Sequence, residues 1–213
     1  MKNKVQKDTW QPTTRQEPKI QMGVLRLFPT LVYQIDALEL VEPIEKTRKT
    51  VVWTKKENDA SENKWILKPH KKLASKFEYK INLCLETLGY ETKMKMTTSW
   101  WTRTAPGNVV YRHKHTNCLW SAVFYPYEDT SSIILESTTT KPMIDVLFKC
   151  TDPQYIPYGQ AEITIRPGTM LIFPSHIYHW TQPNNTDKHR YSLAMNFMPR
   201  GNLLHGDSSF NYQ

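Results

Sequence analysis

Two histidines, His113 and His115, stand one residue apart in the run Tyr111-Arg112-His113-Lys114-His115-Thr116-Asn117. Side chains alternate faces along an extended chain, so both imidazoles leave the same side and can hold one metal ion together. Imidazole ligates iron, zinc and copper. A histidine pair on a strand is equally compatible with a core or surface role, so the reading turns on what converges with it. His179 follows Phe173-Pro174-Ser175, and Arg190 and Ser192 alternate on a later extended run, sharing one face with Ala194 and Asn196. An arginine turned into a barrel is costly unless a carboxylate meets it, and a guanidinium can grip a carboxylate at two points. Trp100, Ser121, Ala122 and Tyr125 are expected to flank the pocket these segments would enclose, with Lys114 pointing away from it.

The rest of the chain must position those three segments. Residues 70–89 carry Leu73, Phe77, Ile81, Cys84, Leu85 and Leu88 at spacings of three and four, which predicts a helix with one apolar stripe. Gly89 stands where a C-terminal cap belongs, and His70 at the start reads as solvated. Residues 38–51 suit a shorter helix, 24–33 a strand interrupted at Pro29, and 55–63 an exposed loop. From residue 94 the pattern changes to short runs separated by turn signals. Strands are expected at 94–102, 109–113, 119–125, 132–136, 143–148, 161–166, 170–173 and 191–197. So many short strands indicate a sandwich or barrel, and a double-sheet jelly roll is one such form that leaves a pocket between its sheets. The expected division is a tail over 1–21, a strand and helical support region over 22–92, a jelly-roll core over 93–200 and a C-terminal tail over 201–213, forming one domain.

Hydrophobic residues make up 39% of the 213 and aromatics 12%, enough to bury a core and to set disorder aside. The formal net charge of +8 fits a lysine-rich soluble surface, and it also permits an acidic partner such as nucleic acid. No stacking motif or basic stripe can be located for the latter. Cys84, Cys118 and Cys150 form no CxxC pair, which argues against both a disulfide framework and a cysteine zinc site. No apolar run follows the opening Met1-Lys2-Asn3-Lys4-Val5, and no stretch approaches the ~20 apolar residues of a membrane helix. A soluble, cytoplasmic protein without a membrane partner is therefore expected.

Taken together, the motifs resemble a known family. They are Ser99-Trp100, Gly107 ahead of His113-x-His115-x-Asn117, Ser121-Ala122-Val123-Phe124-Tyr125, Phe173-Pro174-Ser175-x-x-x-His179 and Arg190-x-Ser192-x-x-x-Asn196-Phe197. In order and spacing they are similar to the 2-oxoglutarate/Fe(II) oxygenases, and most of all to a branch frequent in bacteriophages and marine bacteria. Leu27-Phe28-Pro29-Thr30 is similar to that branch's opening motif, so the resemblance spans about residues 24–198. It implies a mainly β fold, a double-stranded β-helix (jelly roll) with N-terminal helices packed on the outside. It further implies Fe(II) held by His113, His115 and His179, with Arg190 and Ser192 binding the far carboxylate of the co-substrate 2-oxoglutarate. Oxygen activation would then be coupled to decarboxylation and to oxidation of a substrate, small molecule or macromolecule, that no loop motif selects. In a viral setting the compartment would be the host cytoplasm.

Four departures bear on this. His115 stands where the wider superfamily has a carboxylate, Ala122 where the branch has glycine, and His176 where it usually has tryptophan; Thr102 replaces a polar amide. Three neutral imidazoles leave the metal its full charge, which lowers affinity and lets zinc or copper compete. His115 is read as a ligand, with a supporting or spectator role as the alternative. His176 is either a pocket residue or a surface histidine. Two other functions fit the same residues: a three-histidine cupin-type dioxygenase without 2-oxoglutarate, and a non-catalytic jelly-roll binding protein.

Overall fold

The computed structural model describes residues 30–54, 58–127, 132–136, 159–203 and 206–212. Strands β1 (Tyr33–Asp36), β2 (Asn58–Ala60), β3 (Met94–Thr104), β4 (Trp120–Tyr125), β7 (Thr169–Pro174) and β9 (Arg190–Pro199) form an antiparallel sheet in the order β1-β7-β4-β9-β3-β2. A second antiparallel sheet has the order β6-β5-β8, from β5 (Ser132–Glu136), β6 (Gln160–Thr164) and β8 (His179–Thr181). The jelly roll consists of these two sheets facing each other.

The large sheet is covered on both faces, and this explains its sequence. Trp120, Ala122 and Phe124 of β4 enter one apolar cluster with Met170 and Ile172 of β7 and with Leu193, Met195 and Phe197 of β9. Val123 and Tyr125 point the other way, into a cluster with Leu171, Phe173 and, from the small sheet, Ile133 and Leu135. A strand buried on both faces has no polar side to alternate, so β4 reads as a continuous apolar run. The first cluster is closed by helices α1 (Val41–Arg48) and α2 (Lys71–Glu86). The α2 stripe buries Phe77, Ile81, Cys84 and Leu85, and Phe77 meets Phe124 edge-on at 5.4 Å between ring centroids. Leu88 lies past the last turn and is exposed. On the side of α1, the buried Trp101 Nε1 donates to Thr47 Oγ1 at 3.0 Å.

Several expectations change. Residues 109–113 form no regular strand: an extended segment pairs irregularly with 179–184, through single bonds and one bridge between His113 and His179. Of the loop expected at 55–63, residues 58–60 are β2, held on β3 where Arg103 pairs with Asp59. Residues 201–213 include a hairpin of β10 (Gly201–Leu203) and β11 (Phe210–Tyr212) where a plain tail was expected. The three-residue β8 is too short to show periodicity. The expected tail, the Leu27-Phe28-Pro29 part of the opening motif, the strand at 143–148 and Cys150 lie outside the described residues.

Gly168 locks the N-terminal region to the jelly roll. Its amide donates to Tyr125 O and its carbonyl accepts from Ala37 N, both at 2.8 Å. Its φ is +75°, and an added Cβ would stand 2.6 Å from Leu38 Cδ2 and 2.9 Å from Leu38 Cα. A side chain there meets both a left-handed backbone and a clash with main chain. Gly168→Ala is expected to destabilise the protein by about 2–4 kcal/mol in denaturant unfolding, the combined cost of strain and overpacking.

Candidate metal centre

The bridge between His113 and His179 sets the geometry of the site. His113 N donates to His179 O at 3.0 Å, and His179 N donates to His113 O at 2.8 Å. The two residues thereby exchange both main-chain bonds across the gap between the loop and β8. His115 is fixed separately, its amide donating to Ser175 O at 3.0 Å. The three imidazoles converge, and one ring nitrogen from each lies within 4.8 Å of the others. His70 and His176, by contrast, are exposed, and neither belongs to this cluster. The surface alternative therefore describes His176. Lys114 is exposed, with its Nζ 5.3 Å from the Tyr178 ring centroid, as alternation requires.

Main-chain carbonyls orient two of the rings in the same way. His113 Nδ1 lies 2.7 Å from Tyr111 O, and His179 Nδ1 lies 3.0 Å from Ile177 O. A carbonyl only accepts, so each Nδ1 carries the proton and each Nε2 keeps its lone pair for a metal. The His115 ring packs edge-on to Trp100 at 5.5 Å, and His179 to Phe173 at 4.8 Å. Burial, and after it the proximity of His113, push the His115 imidazole down to about 4 and that of His179 to about 3. Both are neutral bases at pH 7, the state a metal ligand requires.

A cavity of about 50 Å³ runs from the three histidines to Thr102 and Ser192, walled by Trp100, Val110, Val123, Tyr125, Ile133 and Thr181. Ser192 hydrogen-bonds Thr102 across the sheet, 2.5 Å between hydroxyl oxygens. Arg190 is buried on the same face of β9; Nη2 donates to Thr181 Oγ1 at 2.5 Å and Nη1 to Gln182 O at 3.2 Å. Its guanidinium is thus held beside β8, two residues beyond His179. Of the expected flanking residues, Trp100 and Tyr125 line the cavity. Ala122 faces the helix-side core, and Ser121 Oγ donates to Asn196 Oδ1 at 2.9 Å and bonds Ser175 Oγ at 2.8 Å. That buried network supports the turn whose carbonyl holds His115. In the sequence Ser175 stands out only as part of the Phe173-Pro174-Ser175 motif, without a role of its own, and Thr181 belongs to no motif, since isolated hydroxyl residues carry no spacing signal.

The sheets and the histidine cluster define a jelly-roll protein with a metal-competent site between its sheets. Residues 98–196 match the family described as "Putative 2OG-Fe(II) oxygenase". It is an oxidoreductase family that uses Fe(II), 2-oxoglutarate and O2. The fold is similar to an oxidoreductase of the 2OG-Fe(II) oxygenase family from Burkholderia pseudomallei, with a TM-score of 0.57, 9% identity, and coverage of 78% of this chain and 83% of that one. It is also similar to HygX from Streptomyces hygroscopicus, solved with nickel, 2-oxoglutarate and hygromycin B (TM-score 0.54, 12% identity, 80% and 83% covered). A Pseudomonas putida prolyl-4-hydroxylase gives a TM-score of 0.50 at 15% identity, with 80% and 94% covered. No curated protein matches the chain in sequence. No helix among the described residues is long and apolar enough to cross a membrane.

The depressed histidines give a pH signature in the metal-free protein. In the unfolded chain His115 and His179 titrate near 6.5, while in the fold they stay neutral to about 4 and 3. Between those values the unfolded state binds more protons, so stability falls as pH drops. From pH 7 to 5 the loss should be about 1–2 kcal/mol per histidine. Denaturant unfolding at the two pH values, compared with His115→Gln and His179→Gln, checks this: each variant should lose correspondingly less.

Proposed function

We propose that the chain is a 2-oxoglutarate-dependent Fe(II) hydroxylase in which His113, His115 and His179 hold the metal and Arg190, with Ser192, binds the far carboxylate of 2-oxoglutarate. The observation that carries this reading is one cavity joining the three imidazoles to Ser192, with Arg190 behind its Thr181 wall. The donor set fits Fe(II): neutral imidazoles, two of them with Nε2 oriented outward by a carbonyl on Nδ1. When bound, the iron supplies oxygen activation coupled to decarboxylation of 2-oxoglutarate to succinate and carbon dioxide.

The protein's own groups do the rest. Three neutral ligands leave the metal charge uncancelled, and a dianionic co-substrate offsets it while Arg190 meets the other end of that dianion. Thr181 and Gln182 fix the guanidinium beforehand, so little order is lost on binding. Val110, Val123 and Ile133 keep the walls apolar and strengthen those charge contacts.

The cluster holds no carboxylate among the described residues. That favours, as a second reading, a three-histidine dioxygenase that does not use 2-oxoglutarate. Anaerobic titration with Fe(II) and then 2-oxoglutarate, followed in the visible spectrum, separates the two. The hydroxylase gives a charge-transfer band only with both components, and in air it releases succinate. Band formation without succinate, or iron binding without the band, supports the alternative. His113→Ala should abolish the band. Arg190→Lys should raise the 2-oxoglutarate concentration needed by about tenfold to a hundredfold, as expected for weakened charge-assisted bonds worth about 1.5–3 kcal/mol. Its melting temperature must be recorded alongside, because Arg190 is buried.

A further inference from the structure

A second cavity, of about 480 Å³, shares no lining residue with the histidine site. One wall is the first half of α2, another the start of β3, and a third the turn at residues 65–68. That turn is clamped to β3: Ile66 N donates to Ser99 O, Leu67 N to Ser99 Oγ and Ser99 N to Lys64 O, at 2.8–2.9 Å. The wall is therefore preformed. Four cations, Lys68, Lys71, Lys95 and Arg200, and one carboxylate, Glu78, line the cavity. Glu78 is committed, accepting from Lys95 Nζ and from Met96 N, each at 3.0 Å. Lys68, Lys71 and Arg200 form no ion pair among the described residues. Beside them Trp65 is 53% exposed, and its ring has no aromatic or cation partner among the described residues.

Uncommitted cations around an exposed indole match what a nucleotide chain presents: phosphates for the lysines and arginine, a base face for the ring. An acidic peptide would use the cations and leave the indole idle. A duplex keeps its base faces stacked. We propose that this cavity binds single-stranded nucleic acid, with Trp65 stacking on a base and Lys68, Lys71 and Arg200 meeting phosphates. The proposal stands independently of the iron chemistry.

The test is fluorescence anisotropy of the full chain with labelled twelve-nucleotide oligo(dT) and oligo(rU), against a duplex of equal length, a mononucleotide and poly-glutamate. Single strands should bind best, with a slope of log affinity on log salt of about −2 for three phosphate contacts. Trp65→Ala should weaken binding about tenfold while leaving that slope unchanged. The double variant Lys68→Ala, Lys71→Ala should lower the slope to about −0.7. All these positions are exposed, and a melting curve confirms that the variants remain folded. No single-strand binding at low salt would overturn the proposal. So would equal affinity for duplex, mononucleotide or poly-glutamate, or indifference to Trp65→Ala.

Discussion

The reciprocal main-chain bond between His113 and His179 is the constraint on which the site depends. An imidazole can meet a metal only if its backbone is placed to within a fraction of an ångström, and here each of the two residues fixes the other. The bridge joins the loop before β4 to the short strand β8, and through β8 it reaches the small sheet. Sheet separation and the spacing of the two imidazoles are therefore set together. Ser175 extends the same logic to His115, and the Ser121–Ser175–Asn196 network ties that turn to β4 and β9 of the large sheet.

Where burial dictated residue type, the sequence was informative. Phe77, Ile81, Cys84 and Leu85 mark α2 because a helix covering a sheet needs one apolar stripe, and the runs of β4, β5, β7 and β9 are apolar because these strands are covered. The His113/His115 pair was legible because extended backbone sends alternate side chains to one face, and that holds even though the segment forms no regular ladder. Arg190 and Ser192 were visible for the same reason. The side of β4 on which each residue falls was harder to read. Ala122 and Ser121 were both assigned to the pocket rim, but adjacent residues cannot share a face: Ser121 falls on the inner side with Val123 and Tyr125, and Ala122 on the helix side, a distinction that an all-buried strand does not display.

Pairings made by isolated residues left no pattern. Ser175 and Thr181 act through one carbonyl or hydroxyl each, and β8 is three residues long. The basic cavity was hidden for a different reason. Lys68 and Lys71 follow Trp65 within six residues, but Lys95 and Arg200 come from distant segments, and only the fold gathers all four around the indole. Charge composition hinted at an acidic partner, and tertiary structure adds Arg200 and the cavity itself to the charge beside the ring.

The strand order also has a consequence for how the chain is made. Among the described residues of the large sheet β1 is bonded only to β7, and β3 lies between β2 and β9. Apart from the β2–β3 pair, each neighbour relation joins an early strand to one synthesised much later, or two strands separated by others. A polypeptide emerging from the ribosome N-terminus first cannot assemble this sheet hairpin by hairpin. Until β4 emerges, α2 has no Phe124 to cover its stripe, and β1 waits some 130 residues for β7. Such non-local topology favours slow folding and prolongs the exposure of apolar surface. The early segments are thus committed to a fold whose closing pieces, β7 to β9, also deliver His179 and Arg190, so the pocket takes form only when nearly the whole chain is present.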